Sequence, residues 1–433
     1  MVPCCRATRD DSAPFDRVYE VVSKQLQSAV FRDIYIVDSN FCAYLGIDIN
    51  NNCSDLALLN TDYTAFESYK TPFFYQHSDQ YPHHINMSSE TTTRQWILSN
   101  KPIDMPDDST FKLIDTKLPA LKDGQVLAKT LYLSNDPAQR GWIQKDQDPE
   151  RLYVPPVQQD APMTARGLAK IVASKSSKFA EGSLITASVN WSEYNVFSEK
   201  ECSPVSNVEG LSETHFLGAL GLTGVTAYYG LTQVVKANKD DVVVISGAAG
   251  ATGSMAVQIA KNIIGCKKVI GMAGTDSKCK WVESLGADVC LNYKSKSFEA
   301  DLEKATEKKA TVYYDNVGGS ILDLMLGHMA RYSRIAACGA ISNYNDTSSG
   351  FNLKNWFNVI SQRIEIHGFI VIDAGKDIPN YVEVLTQAYK DGKVKIGEEN
   401  ETVVGTKFED VPKTWLKLFS GDNTGKLITK LEG

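Results

Sequence analysis

Apolar and polar positions follow two different rhythms along the chain. Between residues 93 and 189 the apolar positions come in short runs: Gln95-Trp96-Ile97-Leu98, Phe111-Lys112-Leu113-Ile114, Gln125 to Leu131, Gly167 to Val172 and Ser183 to Val189. Turn residues such as Asn100-Lys101-Pro102 and Lys122-Asp123-Gly124 divide them. That pattern predicts a small, mostly antiparallel β domain, a partly open barrel. Past residue 240 the runs become wholly apolar and are separated by helical stretches. Val242-Val243-Val244-Ile245 leads through a glycine turn into a helical pattern over 254–261, and a second run, Lys268 to Ala273, follows. Such a unit predicts βαβ, with strands buried on both faces of a parallel sheet. Val312 to Gly319 and Arg334 to Ala340 each read as a further strand and turn. Ile378 to Gly392 reads as an amphipathic helix, with Tyr381, Val382, Val384, Leu385 and Ala388 on its apolar side. Thr402 to Gly405 and Lys426 to Leu431 return as strands. They would complete the β domain, make it discontinuous and leave a cleft between it and the parallel sheet.

The glycine turn brings chemistry. Ser246 to Gly253 contains A-x-G-x-x-G at Ala248, Gly250 and Gly253, between a predicted strand and a predicted helix. Gly250 would let backbone approach a pyrophosphate, Gly253 would let helix pack on strand, and the helix N-terminus would supply N–H groups and a positive dipole. Gly250, Ala251, Thr252 and Gly253 are therefore candidate cofactor residues. Ala248 departs from the usual first glycine.

The end of the second strand speaks to which dinucleotide. Thr275 reads as an N-cap, and Lys278 stands where a capping box would place Glu or Gln. A cation there opposes the helix dipole unless an anion lies nearby. A ribose 2′-phosphate would be that anion, which favours NADPH. Asp276 is the competing signal, because an NAD site uses an acid at this point.

Composition narrows the field without changing this picture. The chain has 433 residues, enough for two or three domains, and a net charge of -7, which argues against nucleic acid as a main partner. No segment approaches the ~20 apolar residues of a membrane span. Met1 to Asp10 has no apolar core of a secretory signal. Nine scattered cysteines suit reduced thiols in a cytoplasmic protein. Residues 1–86 differ from the rest: they hold Cys4, Cys5, Cys42 and Cys53, and His77, His83 and His84, without ligand spacing. Only Asp16 to Val30 has weak helical periodicity. This part is expected to be a poorly ordered extension, with Met87 opening what reads as a complete protein.

The order of parts, a β domain, the linking segment Leu217 to Tyr228 and then the dinucleotide unit, resembles the medium-chain dehydrogenase/reductase superfamily. Within it the chain is similar to the zinc-independent alkenal/one reductases, the group of prostaglandin reductases and leukotriene B4 dehydrogenases. The resemblance covers Thr93 to Glu432. It rests on Leu133-Ser134-Asn135-Asp136-Pro137, the Gly250 turn, Leu291-Asn292-Tyr293-Lys294, Cys338 to Asn345 and His367-Gly368-Phe369-Ile370-Val371. Ala138 stands where family members often have an aromatic residue, so the pocket's size does not carry over.

The resemblance implies an α/β fold: a doubly wound Rossmann sheet over 217–372, and a GroES-like, partly open antiparallel barrel over 87–216 plus 373–433. It also implies further cofactor contacts. Tyr293 would join Lys278 at the 2′-phosphate, and Asn316 would lie at a strand's C-terminal edge. Cys338, Gly339, Ala340, Ile341 and Ser342 would line the nicotinamide end, with Cys338 a small packed residue rather than a nucleophile. Phe369, Ile370 and Val371 would present backbone, and Asn423 would reach in from the C-terminal segment. Tyr344 would be the donor to the oxyanion that develops when the double bond of an enal or enone is reduced. A homodimer is implied as well.

Zinc can be weighed on the residues. After residue 86 the cysteines are Cys202, Cys266, Cys279, Cys290 and Cys338, and the histidines His215, His328 and His367, with no C-x-x-C and no ligand trio at metal spacing. No metal is expected, which disfavours alcohol oxidation. The leading expectation is an NADP-dependent oxidoreductase acting on CH-CH donors, with small enals or enones as substrates. A quinone reductase of the same superfamily and a non-catalytic NADPH-binding protein remain the alternatives.

Overall fold

The computed structural model describes residues 92–346 and 352–432. The expectations for residues 1–86 lie outside the described residues.

β1 (Thr92–Leu98) and β2 (Phe111–Lys117) form an antiparallel pair of their own. β3 (Gln125–Ser134), β4 (Thr164–Ser174), β5 (Leu184–Asn190), β6 (Tyr194–Ser198) and β7 (Ser203–Pro204) belong to a second, larger sheet. Alternate positions of β3 and β4, such as Val126, Ala128, Ala169 and Ile171, bury one face against Trp191, Phe111 and Trp415. The Phe111 and Trp191 rings lie 5.1 Å apart, and Trp191 and Trp415 meet edge to face at 5.9 Å. These large side chains give the β domain its core.

After the linking helix α1 (Leu222–Tyr229) the chain alternates strand and helix. β8 (Val242–Ile245), α2 (Ala251–Gln258), β9 (Lys268–Ala273), α3 (Asp276–Ser284), β10 (Val289–Asn292) and α4 (Phe298–Thr306) come first. β11 (Ala310–Asp315), α5 (Gly319–Leu326), β12 (Met329–Ala337), α6 (Phe357–Gln362) and β13 (Glu365–Gly368) follow. The parallel sheet has the order β10-β9-β8-β11-β12-β13. Val243 and Ile245 pack into one helical layer and Val244 into the other, so the run is buried on both faces. The chain begins at β8, builds outward through β9 and β10, then crosses to β11. The strand order therefore reverses between β8 and β11, where open α/β sheets bind ligands beyond the strands' carboxyl ends.

The helix expected over 254–261 starts earlier, at Ala251, and passes into a wider turn at Ile259–Ile264. Its first turn carries small residues, which give no apolar periodicity to read. The last elements are α7 (Ile378–Lys390), β14 (Glu401–Thr406), α8 (Val411–Ser420) and β15 (Lys426–Leu431). β15 inserts antiparallel beside β3 and pairs with β14 in parallel, giving the order β14-β15-β3-β4-β5-β7 with β6 also on β3. The ends of this path do not pair, so the barrel is open.

Candidate active site at the strand-order reversal

A cleft of about 1140 Å³ runs between the two sheets' edges. Every residue expected to hold NADPH or act in catalysis lines it except Ala340, whose N–H bonds to Tyr344 at the cleft wall.

The glycine turn explains its own sequence. A Cβ on Gly253 would lie 2.2 Å from the Gly247 oxygen and 2.8 Å from the Ala248 Cα, so only glycine fits there. The left-handed residue is Gly247 (φ +58), one place before Ala248, and Ala248 donates its N–H to the Met272 oxygen at 2.9 Å. An alanine is tolerated at the departed position because the unusual torsion has moved to its neighbour. Gly250 caps α2 in an extended conformation, and the first-turn N–H groups of Ala251, Thr252 and Gly253 have no i−4 acceptor inside the helix. Gly425 closes the other side: its N–H donates to the Ala249 oxygen at 2.8 Å. This cradle fits a pyrophosphate.

At the β9 end, Thr275 caps α3 by accepting from the Lys278 N–H, as its position predicts. The Lys278 Nζ donates to the carbonyls of Gly421 and Asn423, both at 2.7 Å. The anion expected to justify a lysine in this first turn thus has company: two backbone oxygens already offset the charge. Burial pulls the Lys278 pKa down, opposed by Asp422. Asp276, the competing ribose acid, accepts from the Asn292 amide at 2.7 Å and is not among the residues lining the cleft. Tyr293 is 42% exposed, so it is not a packed core residue, and its hydroxyl lies over Gly274.

Between the strands Asp315 ties the reversal together. One buried carboxylate oxygen accepts from Ser246 Oγ, the Tyr313 hydroxyl and the N–H groups of Val317 and Gly318. The Asn316 amide donates to the Ser246 carbonyl at 2.7 Å. The Cys338 thiol is half-buried against the Tyr314 hydroxyl, and burial pushes its pKa up to about 11, so it is not a thiolate nucleophile at neutral pH. Gly339, Ile341 and Ser342 continue the wall, with Ser342 Oγ donating to the Val317 oxygen at 2.7 Å. Phe369 packs its ring on Tyr229 and Tyr314, which fixes the backbone of Ile370 and Val371 along the cleft. The Asn423 side chain donates to the Gly425 oxygen, so its amide holds the local turn while its carbonyl holds Lys278. The Tyr344 hydroxyl accepts the Ala340 N–H at 3.2 Å.

Three features of the cleft escaped the sequence reading. Lys426, only 3% exposed, pairs with Asp136 and donates to the Asn135 oxygen at 2.9 Å. Asp315 sits under the turn, and Arg166 faces the cleft from β4. The Asn135-Asp136 motif was visible, but its partner is 290 residues away. Among the described residues no group of three His, Cys, Asp or Glu side chains is placed to hold a metal ion. None of the described helices is long and apolar enough to cross a membrane.

Residues 94–205 match the family model described as the N-terminal domain of oxidoreductase, and residues 251–387 match the one described as zinc-binding dehydrogenase. The chain is 36% identical over 367 residues to an uncharacterized membrane protein of Saccharomyces cerevisiae, covering 78% of this chain and 98% of that one. It is 34% identical over 349 residues to the NADP(+)-dependent 2-alkenal reductase of Nicotiana tabacum, covering 79% and 98%. The solved structure of CurA from Vibrio vulnificus in complex with NADPH superposes with a TM-score of 0.71 at 30% identity, covering 78% of this chain and 99% of that one.

Proposed function

Since the chain belongs to the zinc-independent alkenal/one reductases of the medium-chain dehydrogenase/reductase superfamily, we propose that it is an NADPH-dependent reductase of the carbon–carbon double bond of α,β-unsaturated aldehydes and ketones. The observation that carries this reading is one continuous cleft with an open helix N-terminus on one wall and a half-buried tyrosine hydroxyl on another.

The chain's own residues divide the work. The Gly250–Gly253 turn and the first turn of α2 bind the pyrophosphate, with Lys278 and Tyr293 at the 2′-phosphate end. Asn316, Gly339 to Ser342 and the backbone at Phe369 to Val371 orient the nicotinamide. NADPH, when bound, supplies the reducing equivalent to the substrate's β-carbon. Charge then builds on the substrate's carbonyl oxygen, and a preorganised donor facing it lowers the barrier. Tyr344 is that donor. Its oxygen already accepts the Ala340 N–H, which leaves its own proton for the substrate. A proton from water then completes the reduction at the substrate's α-carbon.

NADPH oxidation by the full chain, followed with enals, enones and quinones, tests the reading. Turnover of enals or enones with NADPH is expected. Tight NADPH binding with no oxidation by any acceptor would remove it.

The reading extends to assembly and location. The cofactor half takes 217–346 and 352–396, extending past the boundary expected at 372, because Leu385, Ala388, Val394 and Ile396 share one core with Val243 and Ile245. The substrate half takes 92–216 with 401–432, whose Phe408, Trp415 and Leu427 pack with Val126 and Trp191. A homodimer joined through the cofactor half is supported by the edge strand β13, which exposes Ile366, and by the adjacent α6, which exposes Phe357 and Ile360 at 72% and 64%. Ile366→Lys should shift the protein to monomer in light scattering. The free thiols among the described cysteines suit the cytoplasm, which imaging of a tagged chain tests.

A further inference from the structure

Arg166 is a cation without an acid. It lies on β4 opposite Ser188 of β5 and lines the cleft. One guanidinium nitrogen, Nη2, donates to Thr186 Oγ1 at 3.0 Å, and among the described residues no carboxylate pairs with it. The other cations of the cleft are provided for: Lys426 has Asp136, Lys278 has two carbonyls, and Lys294 lies over the Tyr293 ring. Burial lowers the pKa of Arg166, and no neighbouring acid opposes it. A guanidinium stays charged even so. Keeping a desolvated charge unpaired is costly, and folds normally supply the counter-charge. Where a cleft cation lacks one, an incoming ligand can bring it.

The strand register says which ligand. Leu133 pairs with Gly167 of β4, so one step further Arg166 stands beside Ser134. Ser134 pairs on its other side with Ile428 of β15. β15 follows Gly425, the residue that bridges to Gly250 at the glycine turn. Arg166 is therefore two strand spacings, about 10 Å, from the strand that meets the phosphate cradle. The cofactor's phosphates are drawn to that cradle, and the anion for Arg166 belongs to the acceptor.

We propose that Arg166 binds a carboxylate carried by the acceptor, so that the enzyme prefers α,β-unsaturated carbonyl compounds bearing an acid group. Thr186 occupies one of the five guanidinium donors and fixes its plane, leaving a fork that matches a carboxylate. The substrate class rests on the reductase reading; the anion site rests on the geometry alone.

The test uses the full chain with NADPH, acetylacrylate, its methyl ester, and levulinate as the saturated keto acid. In Arg166→Gln, kcat/KM for acetylacrylate should fall roughly ten- to a hundredfold, with the ester little changed. Arg166→Lys should restore part of the loss, and it covers the case in which Gln fails to fold. Levulinate should bind the NADPH complex in calorimetry, and at least about tenfold more weakly in Arg166→Gln. Equal losses on acid and ester, no loss on either, or a rise in the NADPH KM alone would overturn the proposal. If no acceptor is reduced but levulinate binding depends on Arg166, the anion site stands and the reductase reading falls. If acceptors are reduced without any dependence on Arg166, the reverse holds.

Discussion

The Tyr344 hydroxyl oxygen accepts a hydrogen bond from the Ala340 backbone N–H at 3.2 Å. Burial raises the pKa of Tyr344 above its ordinary value, and the Ala340 N–H only partly opposes that shift. The phenol is thus a neutral donor throughout the physiological range. Tyr344→Phe should lower kcat by about a hundredfold or more with NADPH affinity unchanged, the cost of removing one donor to a developing oxyanion. The wild-type rate should show no loss from this group until the pH exceeds about 10, the ordinary tyrosine value. Unchanged turnover in the Phe variant at saturating NADPH would take Tyr344 out of the donor role.

Lys278, proposed to meet the 2′-phosphate, also holds the C-terminal segment by donating to the carbonyls of Gly421 and Asn423. Lys278→Ala should reduce kcat/KM for NADPH roughly ten- to a hundredfold, the range of one charge-assisted contact to phosphate, and change NADH far less. Equal losses with both cofactors would mean that the lysine serves only to clamp the 421–423 loop.

The glycine turn allows a graded comparison. A Cβ on Gly253 meets backbone at 2.2 Å, whereas one on Gly250 meets the Gly247 oxygen at 3.2 Å. Gly253→Ala should lower the melting temperature and abolish the NADPH-induced rise in it. Gly250→Ala should melt close to wild type and lose mainly the ligand-induced rise. Similar melting of the two variants would contradict the close-approach account of Gly253.

How far the sequence could be read depends on how local each feature is. Val242 to Ile245, the A-x-G-x-x-G turn and the Thr275 cap are set by neighbours within a few residues, so periodicity and turn chemistry reveal them. The alternation in β3 and β4 does the same for the β domain. The partners of Lys278 lie 143 and 145 residues away, and Asp136 meets Lys426 across 290. No local pattern marks such pairs. Arg166 was hidden for a different reason: in an alternating strand an arginine reads as a solvated face, and only the second sheet turns that face into a cleft wall. Tyr344 and the Cys338 to Ser342 wall were legible only through the family resemblance, since nothing in a loop of small residues announces a cleft wall.

Acid stability should report on His328. It is 6% exposed, and its Nδ1 lies 3.1 Å from Thr306 Oγ1. Burial lowers its folded-state pKa below the ordinary histidine value of about 6.5, with Glu303 opposing and Lys308 assisting. Between the folded and unfolded values the unfolded chain binds more protons, so stability rises with pH there. The contribution is complete above about pH 6.5 and is lost as the pH falls through the folded-state value. His328→Gln keeps a polar side chain but removes the titration. Its melting temperature should lie below wild type at neutral pH, from the altered contact to Thr306. The further drop on moving to about pH 5 should be smaller than in wild type, because the unfolded state no longer gains this proton. Equal acid-induced drops in the two proteins would show that His328 is free to protonate in the folded state and that its burial costs it nothing.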